Sequence, residues 1–258
     1  MIAAEDRGFT LGDGLFETVL ARRGTYRLWD AHITRLVQGC EVLGLPPPDP
    51  DACLEAAERK LVAAGLTAER AAVRLSWSAG IGGRGLDRPE APAPQLTVAA
   101  AASRRPVTPV RLATASVRRN AGSPSSRLKS LSYLDNVLAR REALAAGADE
   151  ALMLNTRGEL ACGGAANLFW IDDGVLFTPA LECGVLAGVM RGALIARATA
   201  AGLAVGEVCA GPQVLKAASA MFVTNSLIGV RAVADLDGRP FAPDPWVDRL
   251  ADLVADLV

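Results

Sequence analysis

Arg118-Arg119-Asn120-Ala121-Gly122-Ser123-Pro124-Ser125-Ser126-Arg127-Leu128 is the stretch on which the fold turns. It combines glycine, proline and serines with few apolar residues, the composition of a connection and not of a packed element. Before it, alternating or apolar runs at 15–20, 72–77, 95–101 and 110–116 read as strands. Ile33, Leu36, Val37, Cys40 and Leu43 recur at helical spacing, which predicts a helix capped by Asp30 and ended by Gly44. A second helix is predicted over 51–64, stopped by Gly65. After the stretch, helices are predicted over 133–146, 188–201, 212–217 and 246–258. Strands are predicted at 151–154, 167–171, 175–177, 204–208, 220–224 and 229–236. No regular strand–helix alternation appears, so the expectation is two α+β domains, 1–117 and 127–258, joined by a linker over 118–126.

Composition narrows the function. Of 258 residues, 51% are hydrophobic and 21% charged, which excludes a disordered chain and supplies a large core. A net charge of −1 leaves no basic excess for nucleic acid. No apolar run is long enough to span a bilayer, and Glu5-Asp6-Arg7 interrupts any signal sequence, so the chain is expected in the cytoplasm, with no membrane partner. Five cysteines without a CxxC pair, and His32 as the single histidine, give no metal-ligand spacing; no metal is expected. His32 also stands apart from any nucleophile motif.

Arginine supplies nearly all the positive charge. Of 27 basic residues only Lys60, Lys129 and Lys216 are lysine. Lysine differs from arginine in that it can lose its proton and form an imine. Lys60 and Lys216 sit in predicted helices, where a plain surface cation is expected, whereas Lys129 lies in Arg127-Leu128-Lys129-Ser130-Leu131-Ser132, between a loop and a helix. Gly184-Val185-Leu186-Ala187-Gly188-Val189-Met190-Arg191 opens a helix with free backbone N–H groups, an arrangement suited to phosphate. Thr224-Asn225-Ser226 puts hydroxyl and amide groups at a strand end, as a ligand contact or an ordinary turn. Gly80-Ile81-Gly82-Gly83-Arg84-Gly85 is either a tight hairpin or bare backbone that lets Arg84 meet a carboxylate. An imine-forming lysine with a phosphate cradle is what pyridoxal 5'-phosphate chemistry requires.

The ordered motifs then become recognisable. They are Asp6-Arg7-Gly8-Phe9, Gly12-Asp13-Gly14-Leu15-Phe16-Glu17-Thr18, His32-Ile33-Thr34-Arg35-Leu36, Lys129-Ser130-Leu131-Ser132-Tyr133-Leu134, Ala165-Ala166-Asn167-Leu168-Phe169, Thr178-Pro179 and Leu186–Arg191. Over nearly its whole length the chain resembles the class IV aminotransferase family, the fold-type IV pyridoxal-phosphate enzymes. The resemblance implies the two-domain fold of D-amino-acid aminotransferases, with the cofactor in the interdomain cleft and a homodimer whose partner loop completes the substrate pocket. It implies Lys129 as the Schiff-base lysine, and Arg35, the Val189 and Met190 amides and Ser226 as phosphate ligands. Arg84 would bind a substrate carboxylate and Asn225 would touch substrate. Gly82-Gly83-Arg84-Gly85 and Ala165–Trp170 point to the lyase branch, which converts 4-amino-4-deoxychorismate to 4-aminobenzoate and pyruvate. A D-amino-acid or branched-chain aminotransferase is the alternative on the same scaffold, and a cofactor-binding protein with weak catalysis is the alternative from another class.

Two departures stand out. The family holds the cofactor's pyridine nitrogen with a glutamate four residues after a glycine; counted from Gly158, that cofactor-binding position is Cys162. Glu159 lies an odd number of residues away, which on a strand faces the opposite side. Only five residues precede Asp6, where family members carry a leading strand or two, so a late start or a lost edge strand is expected.

Overall fold

The computed structural model describes residues 2–258, which form two compact units. One contains the chain up to Arg104 together with Leu128–Tyr133; the other contains Arg105–Arg127 and Leu134–Val258.

The first unit begins with α1 (Arg7–Leu11), whose N–H groups are capped by the Asp6 carboxylate. β1 (Gly14–Arg22), β2 (Thr25–Tyr26), β3 (Arg70–Ser78) and β4 (Gln95–Ala102) form an antiparallel sheet in the order β2-β1-β3-β4. α2 (Trp29–Leu43) and α3 (Pro50–Ala63) cover it. Alternation puts Ala71, Val73 and Leu75 on the covered face, where they meet Val19, Ile33, Cys53, Ala57 and Leu61. Burying such side chains contributes about 1.5–3 kcal/mol each. α2 starts one residue before Asp30: Leu28 occupies the cap without a side-chain bond, and Asp30 sits in the first turn, where its charge suits the helix dipole. The segment 128–133 lies against β1. The Phe16 N–H donates to Lys129 O at 2.8 Å and the Leu131 N–H to Gly14 O at 2.9 Å.

The second unit is built on β5 (Val110–Thr114), α4 (Pro124–Arg127), α5 (Leu134–Ala145), β6 (Glu150–Leu154), β7 (Leu160–Gly163), β8 (Asn167–Asp172) and β9 (Val175–Pro179). α6 (Val189–Ala200), β10 (Val205–Val208), β11 (Ala220–Asn225), β12 (Gly229–Leu236), β13 (Arg239–Pro240) and α7 (Pro245–Leu253) follow. The sheet runs β10-β9-β8-β11-β12-β5-β6-β7, and β7 pairs again with β8 through Cys162 and Asn167, so the strands from β8 to β7 close into a ring. Leu112, Leu152, Leu160, Leu168, Trp170, Val223 and Val233 pack together on one face of these strands. α5 covers another region through Ala139 and Ala143, against Ala151, Met153 and Cys162. No helix among the described residues is long and apolar enough to cross a membrane.

The expected boundary at 117 moves. β5 pairs in parallel with β12 and β6, so it belongs to the second unit, and the division falls after Arg104. Nor is 118–126 a free linker. Arg119 accepts from and donates to the neighbouring backbone at Thr156 and Leu154, and its buried guanidinium donates to Asn136 Oδ1 (3.1 Å), Gly184 O (3.4 Å) and Ser126 O. One buried cation thus orders a stretch whose composition alone reads as loop. The segment predicted as a helix over 212–217 is a 3₁₀ turn, Pro212–Lys216, and the last helix stops at Leu253 before a further 3₁₀ turn.

Arg119→Met should therefore lower the unfolding free energy by about 2–4 kcal/mol, because three buried acceptors lose a charged donor. Urea titration beside Lys60→Met, an exposed helix site expected to change by less than about 0.5 kcal/mol, checks it; equal shifts in the two variants would refute the role.

Candidate active site

In the first unit the sequence places a carboxylate, Glu17, inside the apolar strand β1, where it is 1% exposed. His32 and Arg35, one turn apart on α2, reach it together. His32 Nδ1 lies 2.7 Å from Glu17 Oε2, and Arg35 donates from Nε to Oε1 (2.8 Å) and from Nη2 to Oε2 (2.6 Å). Burial would raise the Glu17 pKa. The Arg35 charge and the bonds from both partners outweigh it and hold the carboxyl at about 2.

Lys129 stands next to this cluster on the segment paired with β1. Its Nζ lies 4.2 Å from the centre of the Phe16 ring and 5.4 Å from that of Tyr133, and the two rings meet edge to face. Burial pulls its pKa down from 10.5 to about 8; Glu17 opposes the shift, and Arg35 and Arg74 add to it. The Arg74 guanidinium also lies 3.6 Å over the Phe16 ring. The first unit thus brings Arg35 and Lys129 into one electrostatic neighbourhood. Glu17, Arg74 and Tyr133 were not singled out from sequence as site residues. Glu17 left a signal, being the one charge within the apolar run 14–21.

Arg84 is placed differently. Its loop is shaped from beneath by buried Arg7, which donates to Asp13 (3.0 Å), Asp87 O (3.0 Å) and Leu86 O (3.0 Å) and more weakly to Gly82 O and Gly85 O. A Cβ on Gly83 would stand 2.0 Å from Asp87 O, so the loop demands glycine there. Arg84 itself is exposed and makes no ion pair among the described residues.

In the second unit, Gly188 starts α6 with no side-chain cap and no acidic residue in the first turn. The opening N–H groups, Val189 and Met190 among them, have no intrahelical acceptor. Asn167 packs on this turn: its Nδ2 donates to Leu186 O at 2.9 Å, and a Cβ on Gly188 would come within 1.9 Å of its Oδ1. Strand register sets Cys162 and Thr224 on either side of Asn167. The Thr224 hydroxyl is buried without a hydrogen-bond partner. Ser226 is half-buried in the following turn. Asn225, expected to touch substrate, is instead committed to that turn: Nδ2 donates to Ala165 O, and Oδ1 accepts from Leu227 and Ile228 N–H. Cys162 is a buried thiol; burial pushes its pKa up, Arg119 draws it back and Glu150 reinforces the rise.

These donors fit pyridoxal phosphate unit by unit. Lys129 is a shielded amine near neutrality, suited to a carbonyl carbon, and the uncapped α6 start with its unpaired hydroxyl suits a phosphate. Residues 14–236 match the class IV amino-transferase family. An aminodeoxychorismate lyase of Bacillus subtilis is 32% identical over 231 residues, covering 87% of this chain and 78% of its own. The branched-chain aminotransferase of Thermoproteus uzoniensis, solved with norvaline, superposes with a TM-score of 0.90 at 27% identity, over 98% of this chain and 87% of its own. A hypothetical aminotransferase of Mycobacterium tuberculosis in its PLP-bound form superposes with a TM-score of 0.86 at 27% identity, over 100% of this chain and 93% of its own. The chain belongs to the class IV aminotransferase family. It is an enzyme, and its cofactor is pyridoxal 5'-phosphate.

The Glu17 cluster carries a pH signature. Its carboxyl is held at about 2, below the ordinary glutamate value of 4.5, so the ion pair stabilises the fold fully above pH 4.5 and its contribution is lost as pH falls towards 2. Glu17→Gln should be less stable at pH 7 and show a flatter decline between those values. Urea midpoints measured at steps of pH check this; parallel declines would reject it.

Proposed function

We propose that the enzyme is a lyase acting on 4-amino-4-deoxychorismate, releasing pyruvate and the folate precursor 4-aminobenzoate. The observation that carries the reading is Lys129: a shielded amine with a pKa drawn to about 8 has a usable neutral fraction near neutral pH. Lys129 would hold the cofactor through its amine at rest and would be free to act as a base once substrate is bound. By the family resemblance, the phosphate donors would be the Arg35 guanidinium, fixed in place by Glu17 in the first unit, and the Val189 and Met190 N–H groups and the Ser226 hydroxyl in the second. When bound, the cofactor's ring withdraws electrons from the carbon that bears the substrate amine, most strongly when its nitrogen is protonated. The freed Lys129 Nζ takes the proton from that carbon. The bond to the enolpyruvyl oxygen breaks with its electron pair, the released enolate takes a proton at its methylene carbon to become pyruvate, and the remaining ring becomes aromatic. Exposed Arg84 binds one of the two substrate carboxylates as a charged, two-point donor. A homodimer is part of the reading, and exposed Phe9, Leu11 and Leu86 are the apolar side chains that it would cover.

Cys162 decides between this reaction and transamination. A neutral thiol cannot hold a proton on the ring nitrogen by charge, as a carboxylate does. Transamination leans on electron withdrawal for both of its proton transfers, whereas the lyase step is drawn forward by aromatisation. Transamination is the second reading, favoured by the likeness to the Thermoproteus enzyme.

Two measurements test these roles. Borohydride treatment of the yellow holoenzyme should fix the cofactor onto the peptide that contains Lys129, and Lys129→Ala should lose that link while still folding. Label on Lys60 or Lys216 would overturn the assignment. Cys162→Glu should raise turnover with amino-acid and 2-oxo-acid pairs while lyase turnover is roughly held. Brisk transamination by the unaltered enzyme, with no release of 4-aminobenzoate, would favour the second reading.

A further inference from the structure

Cys183 and Cys209 lie outside the site just described. Cys183 ends the 3₁₀ turn Leu181–Cys183 that precedes the approach to α6, and Cys209 follows β10 directly. Parallel pairing of β9 with β10, extended by an Ala180 N–H to Val208 O bond of 3.0 Å, holds the two exits side by side. The sulfurs are 3.2 Å apart; Cys183 is fully buried and Cys209 is exposed. A disulfide needs about 2.05 Å, so a shift of roughly 1 Å closes the gap.

Glu159 completes a group whose ligand atoms lie within 4.8 Å of one another, which raises the question of a metal ion. Its surroundings argue otherwise. Glu159 Oε2 already accepts from Asn155 Nδ2 (2.7 Å) and Arg157 Nε (2.9 Å), and Arg157 puts a fixed positive charge beside both sulfurs. That charge repels a dication. We propose that Cys183 and Cys209 form a reversible disulfide, with hydrogen peroxide as the oxidant.

Cys209, the accessible sulfur, attacks one peroxide oxygen as its thiolate. The O–O bond breaks, hydroxide leaves, and Cys209 becomes a sulfenic acid, oxidised by two electrons while the peroxide is reduced. The Cys183 thiol, which donates to Cys209 Sγ, then gives its proton to the departing hydroxide as its sulfur attacks the Cys209 sulfur. The S–O bond breaks and hydroxide leaves, taking up a proton as water. The sum is two thiols and one peroxide giving one disulfide and two waters. Burial shields Cys183 from peroxide and pushes its pKa up to about 12, so the first attack falls to Cys209. The bridge would join residues 26 apart in sequence and restrain the turn that leads into α6.

The test uses the holoenzyme and hydrogen peroxide. Titration of thiols after denaturation should fall from five to three, recover with dithiothreitol, and map to one cross-linked pair of peptides containing Cys183 and Cys209. Cys209→Ser, at an exposed site, should fold and keep its four remaining thiols. Cys183→Ala should accumulate a dimedone adduct on Cys209. A bridge that joins Cys40 and Cys53 instead, or thiols that resist peroxide in the unaltered protein, would overturn the proposal. So would one equivalent of zinc bound by the reduced protein and lost in Cys209→Ser.

Discussion

An ionised carboxylate inside an apolar strand is unstable unless its charge is met, and Glu17 is met by Arg35 and His32 from a single helix. That requirement fixes the rotation and register of α2 on β1, because His32 and Arg35 reach one carboxylate together only from one helical face. β1 in turn carries Phe16, and its backbone pairs with the segment that presents Lys129. The lysine therefore sits against a charge cluster whose geometry is locked by its own burial. The same cluster sets the field around the amine: Glu17 favours its protonated form, and Arg35 and Arg74 disfavour it. A small net imbalance, added to desolvation, brings the amine towards neutrality.

Much of the fold was legible because burial imposes a period. The apolar faces of α2 and α6 and the long strands β1, β3, β8 and β12 follow from spacing that the core enforces. What escaped was held by polar bonds that leave no period. The strand β5 looks like part of the first domain by position, yet its partners β12 and β6 come from far along the chain. The stretch around Arg119 looks like linker because its order comes from one guanidinium reaching three distant groups. α1 is a single short helix set by the Asp6 cap, too brief for any face to show.

The candidate site was legible in the same uneven way. Lys129 announced itself through the scarcity of lysine, and the α6 start through its glycines. Glu17 and Arg74 act through space from strands, and only the fold reveals that they surround one amine. Asn225 sits beside Ser226 in sequence, but its amide is consumed by the turn. Neighbouring residues of similar chemistry thus differ in how far the turn uses their side chains, a difference that composition does not record.

The glycine loop shows how an exposed side chain can be separated from what supports it. Arg7 grips the carbonyls of the loop from below and is tied to Asp13, while Arg88 secures the same carboxylate from the far end of the loop. The frame is anchored by buried Arg7 and partly buried Asp13 and Arg88, whereas Arg84 pairs with Asp87 through its backbone and leaves its side chain exposed. Such a head can be exchanged while its mount stays intact. Exchanges at the exposed side chains of Arg84 and Leu86 would then change the charge and apolarity of this rim at little risk to folding, so the surface here is free to change faster than the architecture beneath it.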